Sequence, residues 1–228
     1  MSFLVIEGLD GSGKSTQIKL VREFLEKKRI KYRYLHFPRT ETGIFGELIA
    51  MFLRGEFGNI DDVNPYLVSL IYAADRHDAG KEMHDWLNSG HLVLADRYVI
   101  SNIAFQCAKL RNPGQRKELK EWILHLEYVH YGIPRPDLNI FLDVPFEFTR
   151  RQLGDIREGT DREYLQGTMD IHEADLEFQK RVREVYLAQA ETGSTLRVIK
   201  CFNEDGGMAE PESIFSGIVA LLENEGII

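Results

Sequence analysis

The segment Phe3-Leu4-Val5-Ile6-Glu7-Gly8-Leu9-Asp10-Gly11-Ser12-Gly13-Lys14-Ser15-Thr16 decides the fold. Its apolar run reads as a buried strand. The residues that follow repeat with a helical period, with Ile18, Val21 and Leu25 on one face. Between them, Gly8, Gly13, Lys14 and Ser15 satisfy the G-x-x-x-x-G-K-[ST] spacing. A strand, a glycine-rich turn and a helix are what a phosphate cradle requires. The glycines let the backbone curl so that successive N–H groups converge on an anion. The helix start adds the positive end of its dipole. Lys14 supplies a point charge for β/γ-phosphates, and the Ser15 hydroxyl is a ligand for Mg²⁺.

Working outward, the chain continues as buried strands separated by helices. A second strand is expected over residues 31–37, stopped by Pro38. Helices are expected over 43–53 and 61–88, the latter with a core stripe of Val63, Leu67, Leu70, Ile71 and Ala74. A compact apolar strand over 91–95 ends at Asp96-Arg97-Tyr98. Helices over 101–110 and 115–131, a strand over 138–143 and a helix over 145–153 follow. A charged, glycine-bearing stretch over 154–167 precedes a helix over 173–191. A strand over 196–201 and an amphipathic helix close the chain. Alternation of this kind implies an α/β fold: a parallel sheet covered by helices on both faces, forming one domain over residues 1–228. Ligands of such sheets bind beyond the carboxyl ends of the strands.

Bulk properties narrow the classes. The net charge of −8 argues against a basic surface for nucleic acid or anionic membrane, though not against a nucleotide. No apolar run approaches the ~20 residues of a membrane span. The start of the chain runs straight into the phosphate loop instead of a signal sequence, so a cytoplasmic location is expected. Cys107 and Cys201 lie far apart in apolar stretches and read as buried free thiols. The seven histidines are scattered, and none reads as catalytic.

Several side-chain groups fall at or just after strand ends. Asp96 reads as an acidic partner for Mg²⁺ opposite Ser15, and Arg97 as a phosphate fork. A structural ion pair closing the strand is the alternative. Tyr72 and Arg76 share a helix face and form either a base platform or a packed tyrosine–arginine pair. Arg39, after Phe37 and Pro38, reads as a phosphate contact or a solvated turn residue. Ser101, Asn102, Phe105 and Gln106 read as a pocket lining, with helix capping by Ser101 also open. Arg150, Arg151, Arg157 and Arg162 punctuate a glycine-bearing stretch that suggests a lid over about 150–170, or a charged hairpin.

Taken together these residues resemble a family, the thymidylate kinases. The resemblance rests on residues 3–16, Phe37-Pro38-Arg39, Tyr72-Ala73-Ala74-Asp75-Arg76, Asp96-Arg97-Tyr98 with Ser101 and Phe105-Gln106, and Pro136-Asp137-Leu138 before Leu142-Asp143-Val144. It runs in order to about residue 190. It implies a three-layer P-loop fold with a five-stranded parallel sheet and a mobile lid. It also implies transfer of the γ-phosphoryl of ATP to dTMP, with Mg²⁺, by a homodimer. The ATP site would comprise Gly8, Asp10, Gly11, Ser12, Gly13, Lys14, Ser15 and Thr16. Asp10 would also hold the deoxyribose 3′-hydroxyl. Arg39 and Arg97 would hold the dTMP phosphate beside Phe37, and Tyr72 would stack on thymine. Arg76 would bond a base carbonyl, with Ser101, Phe105 and Gln106 lining the base pocket. Residues 61–88 and 101–110 are the candidate dimer faces, and the loop near Asn203 the candidate adenine contact.

One departure is informative. Some members carry an arginine where this chain has Gly11. Members with glycine there take the catalytic arginine from the lid, which points first to Arg157 and then to Arg162. After Arg39 the sequence Thr40-Glu41-Thr42-Gly43 also departs from the common bacterial pattern. A deoxynucleoside kinase and a non-catalytic nucleotide switch are the competing readings. Paired Arg39 and Arg97 favour a phosphorylated acceptor over the first. The lack of an Asn-Lys-x-Asp guanine element weighs against a GTPase switch.

Overall fold

The computed structural model describes residues 2–154, 164–165, 170–173, 175–192 and 195–228. Strands β1 (Phe3–Gly8), β2 (Tyr32–His36), β3 (Leu92–Asp96), β4 (Leu138–Asp143) and β5 (Leu196–Lys200) form one parallel sheet in the order β2-β3-β1-β4-β5. The helices are α1 (Lys14–Lys27), α2 (Gly43–Leu53), α3 (Pro65–Asn88), α4 (Val99–Cys107), α5 (Pro113–His125), α6 (Phe146–Gly154), α7 (Leu176–Glu191) and α8 (Pro211–Asn224). A π-helical turn, Leu126–His130, extends α5. The expected sheet is present, and its boundaries shift by only a residue or two.

The uninterrupted apolar strands follow from burial on both faces. In β1, Phe3 and Val5 enter a core shared with Met83, Ile103, Ile123, Phe178 and Tyr186. Leu4 and Ile6 enter the opposite core with Ile18, Val21, Leu25, Ile214 and Ile218. Each such aliphatic side chain contributes roughly 1.5–3 kcal/mol over an exposed one. The central place of β1 sets the site. Ile6 is in register with Asp96 on one side, and Gly8 with Leu142 on the other. The loops leaving β1, β2 and β3 therefore emerge together.

Helix α3 departs from expectation. It begins at Pro65, not 61, because the Asn64 side chain caps it by accepting from the Tyr66 N–H at 2.9 Å. The expected core stripe is met only in part: Ala74 is buried and Val63 and Ile71 pack against a small core, but Leu67 is 59% exposed and Leu70 38%. Beside Ala74 the inward face carries Val68, Ser69, Ala73, Arg76, Ala79 and Met83. Apolar periodicity fails here because Arg76 brings a buried counter-charge, Glu127, and can therefore lie inside. Helix α4 spans 99–107 and is almost entirely buried, so it offers no face for a partner and the expectation over 101–110 is not met. Residues 115–131 are not one α-helix, since the last turn widens to π geometry. Helix α7 starts at Leu176, capped by Asp175, while Ile171–Glu173 form a turn.

Cys107 and Cys201 are free and buried, and burial pushes both thiols up to about 12. Among the described residues no helix is long and apolar enough to cross a membrane.

Candidate active site

The loop between β1 and α1 has the shape its glycines permit. Gly11 and Gly13 have φ of 73° and 77°, a region costly for other residues. A Cβ on Gly8 would lie 2.5 Å from the Ser12 hydroxyl, so a side chain there would force the Ser12 side chain to move. Lys14 folds back, its Nζ donating to the Leu9 carbonyl at 3.0 Å. Burial and the nearby Arg97 lower its pKa to about 8, against the pull of Asp96, Asp10 and Glu7. A partly buried cation held on a main-chain carbonyl can be exchanged onto a phosphate. The first turn of α1 carries no acidic residue to compete with that anion.

Beyond β3 the chain reverses around one buried carboxylate. Glu7 Oε1 accepts from the Tyr98 N–H at 3.0 Å and the Ser101 N–H at 3.3 Å. Its Oε2 accepts from the Ser101 hydroxyl at 2.5 Å and the Tyr186 hydroxyl at 2.9 Å. Burial raises the Glu7 pKa, against the opposing pull of these donors and Arg97. The reversal puts Arg97 at φ 64°, a sparsely populated conformation for a long side chain. Its guanidinium then lies over Phe105 at 5.0 Å, donates from Nη2 to Asp10 Oδ1 at 2.6 Å and from Nη1 to Ser101 Oγ at 3.3 Å. Asp10 is held at a pKa of about 2: burial works against ionisation, but Arg97, Lys14 and His172 outweigh it.

These groups open into a single cavity of about 1020 Å³. Asp10, Gly11, Ser12, Gly13, Lys14, Ser15, Phe37, Arg39, Tyr72, Arg76, Asp96, Arg97, Ser101, Phe105 and Gln106 all border it. Thr16 faces a second cavity of about 270 Å³ with Gln17, Cys201, Met208 and Pro211. Arg39 is held by Asp75 Oδ1 at 2.8 Å and Asp78 Oδ2 at 2.7 Å, which stretches it along α3. The Ser101 hydroxyl is engaged with Glu7 and Tyr186, which makes it a support for Arg97 as much as a lining group. Arg157 and Arg162 lie outside the described residues, as does most of the expected lid.

Other residues of the site were not singled out from sequence. His36 Nδ1 lies 3.2 Å from Asp96 Oδ2. Asp170 and His172 border the cavity although the sequence has no periodic feature there. Asp170 accepts from the Tyr164 hydroxyl at 3.1 Å and the His172 N–H at 2.8 Å. Burial, then Asp10, raises it to about 7. The His172 ring stacks on Phe178 at 5.5 Å, and burial depresses it to about 3, so it is neutral. Gln179 Nε2 donates both to Asp10 Oδ2 at 3.0 Å and to the His172 carbonyl at 2.9 Å, tying α7 to the phosphate loop. For Glu7 a sequence signal did exist: a lone acid inside an apolar strand.

The donor set fits a hard cation. Ser15 and Asp96 supply oxygen ligands at the same cavity, and Asp96 Oδ1 is buried without a partner. Among the described residues no cluster of three or more His, Cys, Asp or Glu could hold a metal alone. Mg²⁺, which uses few protein ligands and completes its shell with phosphates and water, suits such a site.

The thymidylate kinase family profile matches residues 6–204. A protein of Pyrococcus abyssi named "Probable thymidylate kinase" is 32% identical over 225 residues, covering 98% of this chain and 96% of its own. The thymidylate kinase of Plasmodium falciparum is 31% identical over 184 residues, covering 81% and 75%. The solved thymidylate kinase of Candida albicans superposes with a TM-score of 0.70 at 22% identity, over 99% of this chain and 92% of that one, which supports the fold. A phosphate loop, a second arginine-bearing strand end and a nucleotide-sized cavity thus coincide with a match over nearly the whole length, and the chain belongs to the thymidylate kinase family.

Proposed function

We infer that this chain phosphorylates dTMP to dTDP with ATP, and that the residues around the large cavity divide the work as follows. The single observation that carries the assignment is that the phosphate loop and two arginines, Arg39 and Arg97, border one cavity. One anion is cradled at the helix start, and a second is met by guanidinium forks. A phosphorylated acceptor requires those forks, whereas an uncharged nucleoside does not.

In this reading Gly11, Ser12, Gly13, Lys14 and Ser15 hold the ATP phosphates. Arg39 and Arg97 hold the acceptor phosphate. Asp10 fixes the sugar hydroxyl, and Tyr72, Arg76, Phe105 and Gln106 surround the base. Thr16 and the smaller cavity beyond it, close to Asn203, take the adenine side. Ser15 and Asp96 would hold Mg²⁺, which when bound neutralises charge on the phosphates. No covalent intermediate is needed: positioning and charge neutralisation account for phosphoryl transfer. The last positive charge is assigned to Arg157, with Arg162 as its alternate. A lid that closes over the cavity would exclude water and limit hydrolysis.

A homodimer and a cytoplasmic location complete the proposal. Exposed Leu67 and Leu70 on α3 are the apolar surface that favours self-association, and sedimentation of the protein reads it directly. The function is tested by a panel of dTMP, dUMP, dGMP, AMP and thymidine with ATP and Mg²⁺. Phosphorylation of dTMP well above the others is expected. Equal or better turnover of thymidine would show a nucleoside kinase, and tight dTMP binding without dTDP would show a non-catalytic module.

A further inference from the structure

The buried acid in the π-helical turn has no place in the scheme above. Glu127 is fully buried and accepts from Arg76 Nε at 2.5 Å and Nη2 at 2.7 Å. It also accepts from Asn102 Nδ2 at 3.0 Å. That same nitrogen donates to the Ser69 carbonyl at 3.1 Å. A carboxylate and a main-chain carbonyl are both acceptors, so only the amide nitrogen of Asn102 can face them. The orientation of the amide is therefore imposed, and Asn102 Oδ1 is left buried without a partner. Arg76 and Asn102 both border the large cavity. With Nε and Nη2 committed to Glu127, Arg76 retains Nη1 as the donor for a ligand.

We propose that Glu127 is a positioning residue that sets base specificity, by fixing Arg76 as a donor and Asn102 as an acceptor at the base edge. The inference rests on the reading of the cavity as an acceptor-nucleotide site, and it deepens that reading. A donor beside an acceptor complements a pyrimidine that offers a ring carbonyl next to a ring N–H. A 4-oxo base such as thymine or uracil has that edge. Cytosine presents the reverse: an amino group next to an unprotonated ring nitrogen. The wrong base leaves like groups facing each other in a dry site, which costs far more than a lost contact. The widened turn has a part in this. It places Glu127 against both α3 and α4, so one carboxylate governs two readers on separate helices.

The test compares dTMP with dCMP, as kcat/KM and as dissociation constants from calorimetry. Both Glu127 oxygens accept from Arg76, so in Glu127→Gln the new NH₂ group faces an Arg76 N–H in either amide orientation and Arg76 loses its fixed setting. The preference for dTMP over dCMP is expected to fall at least roughly tenfold, mostly in KM and Kd, while KM for ATP stays within about twofold. A folded Glu127→Gln protein with the wild-type preference overturns the inference. Should that variant not fold, Asn102→Ala removes the orphan oxygen and leaves the Arg76–Glu127 pair intact. The same loss of preference is expected, and an unchanged ratio overturns the inference. Wild-type protein that binds dTMP and dCMP equally overturns this inference alone. Wild-type protein that prefers dTMP but makes no dTDP overturns the functional reading alone.

Discussion

Arg97 Nη2 lies 2.6 Å from Asp10 Oδ1, joining the end of β3 to the phosphate loop through an arginine with left-handed backbone geometry. The pair sets how each group meets a substrate, since the same Arg97 is assigned to the acceptor phosphate and Asp10 to the sugar. Asp10→Asn keeps the shape and removes the charge. The expected result is a roughly tenfold or greater fall in kcat/KM for dTMP, with KM for ATP little changed. The pair also has a pH signature. Asp10 is lowered from 3.8 to about 2, so its contribution to stability is present above pH 4 and lost as pH falls towards 2. Thermal unfolding of wild type and Asp10→Asn over that window should show a smaller acid dependence in the variant. Parallel curves would refute the assignment.

Lys14→Ala should abolish measurable turnover, because the β/γ-phosphates lose their cation. The wild-type residue offers a finer test. Its pKa of about 8 in the free chain should rise when a triphosphate replaces the Leu9 carbonyl as its partner. Binding then takes up a proton at pH 8–9. Calorimetry of nucleotide binding in buffers of different ionisation enthalpy measures that uptake, and Lys14→Met should lack it.

Arg157→Ala tests the origin of the last positive charge. A loss of roughly 10³-fold or more in kcat is expected, with dTMP binding largely retained. Near-normal turnover would transfer the role to Arg162 or Arg151.

Asp170 makes a prediction of opposite sign to Asp10. Burial and Asp10 raise it from 3.8 to about 7, so its ionisation is disfavoured in the folded protein. It costs nothing below pH 4, the cost grows as pH rises from 4 to 7, and it keeps its full value above 7. Asp170→Asn should therefore melt higher than wild type at pH 8, by less at pH 5, and no higher below pH 4. A melting difference that does not change with pH would sink the idea.

Much of the sheet and the phosphate loop could be read from sequence because both rest on local rules: apolar strands, glycine spacing and a helix start. Asp96-Arg97-Tyr98 could be read because its residue types sit at a strand end. The inner face of α3 could not. Arg76 and Ser69 lie inside while Leu67 and Leu70 lie outside, an inversion that periodicity cannot detect without knowing about Glu127. Glu127 itself was hidden by the π turn, which shifts the phase of the helix that carries it. Asp170 and His172 were missed because a turn, not a periodic element, delivers them, and only the Gln179 bridge shows where they go.

Arg39, stretched between Asp75 and Asp78, has one more consequence. Its Nε and Nη2 are committed to α3, while Nη1 has no hydrogen-bond partner among the described residues and Arg39 borders the large cavity. In the proposed function an acceptor phosphate would meet a guanidinium whose direction is already set, so little side-chain freedom would be lost on binding.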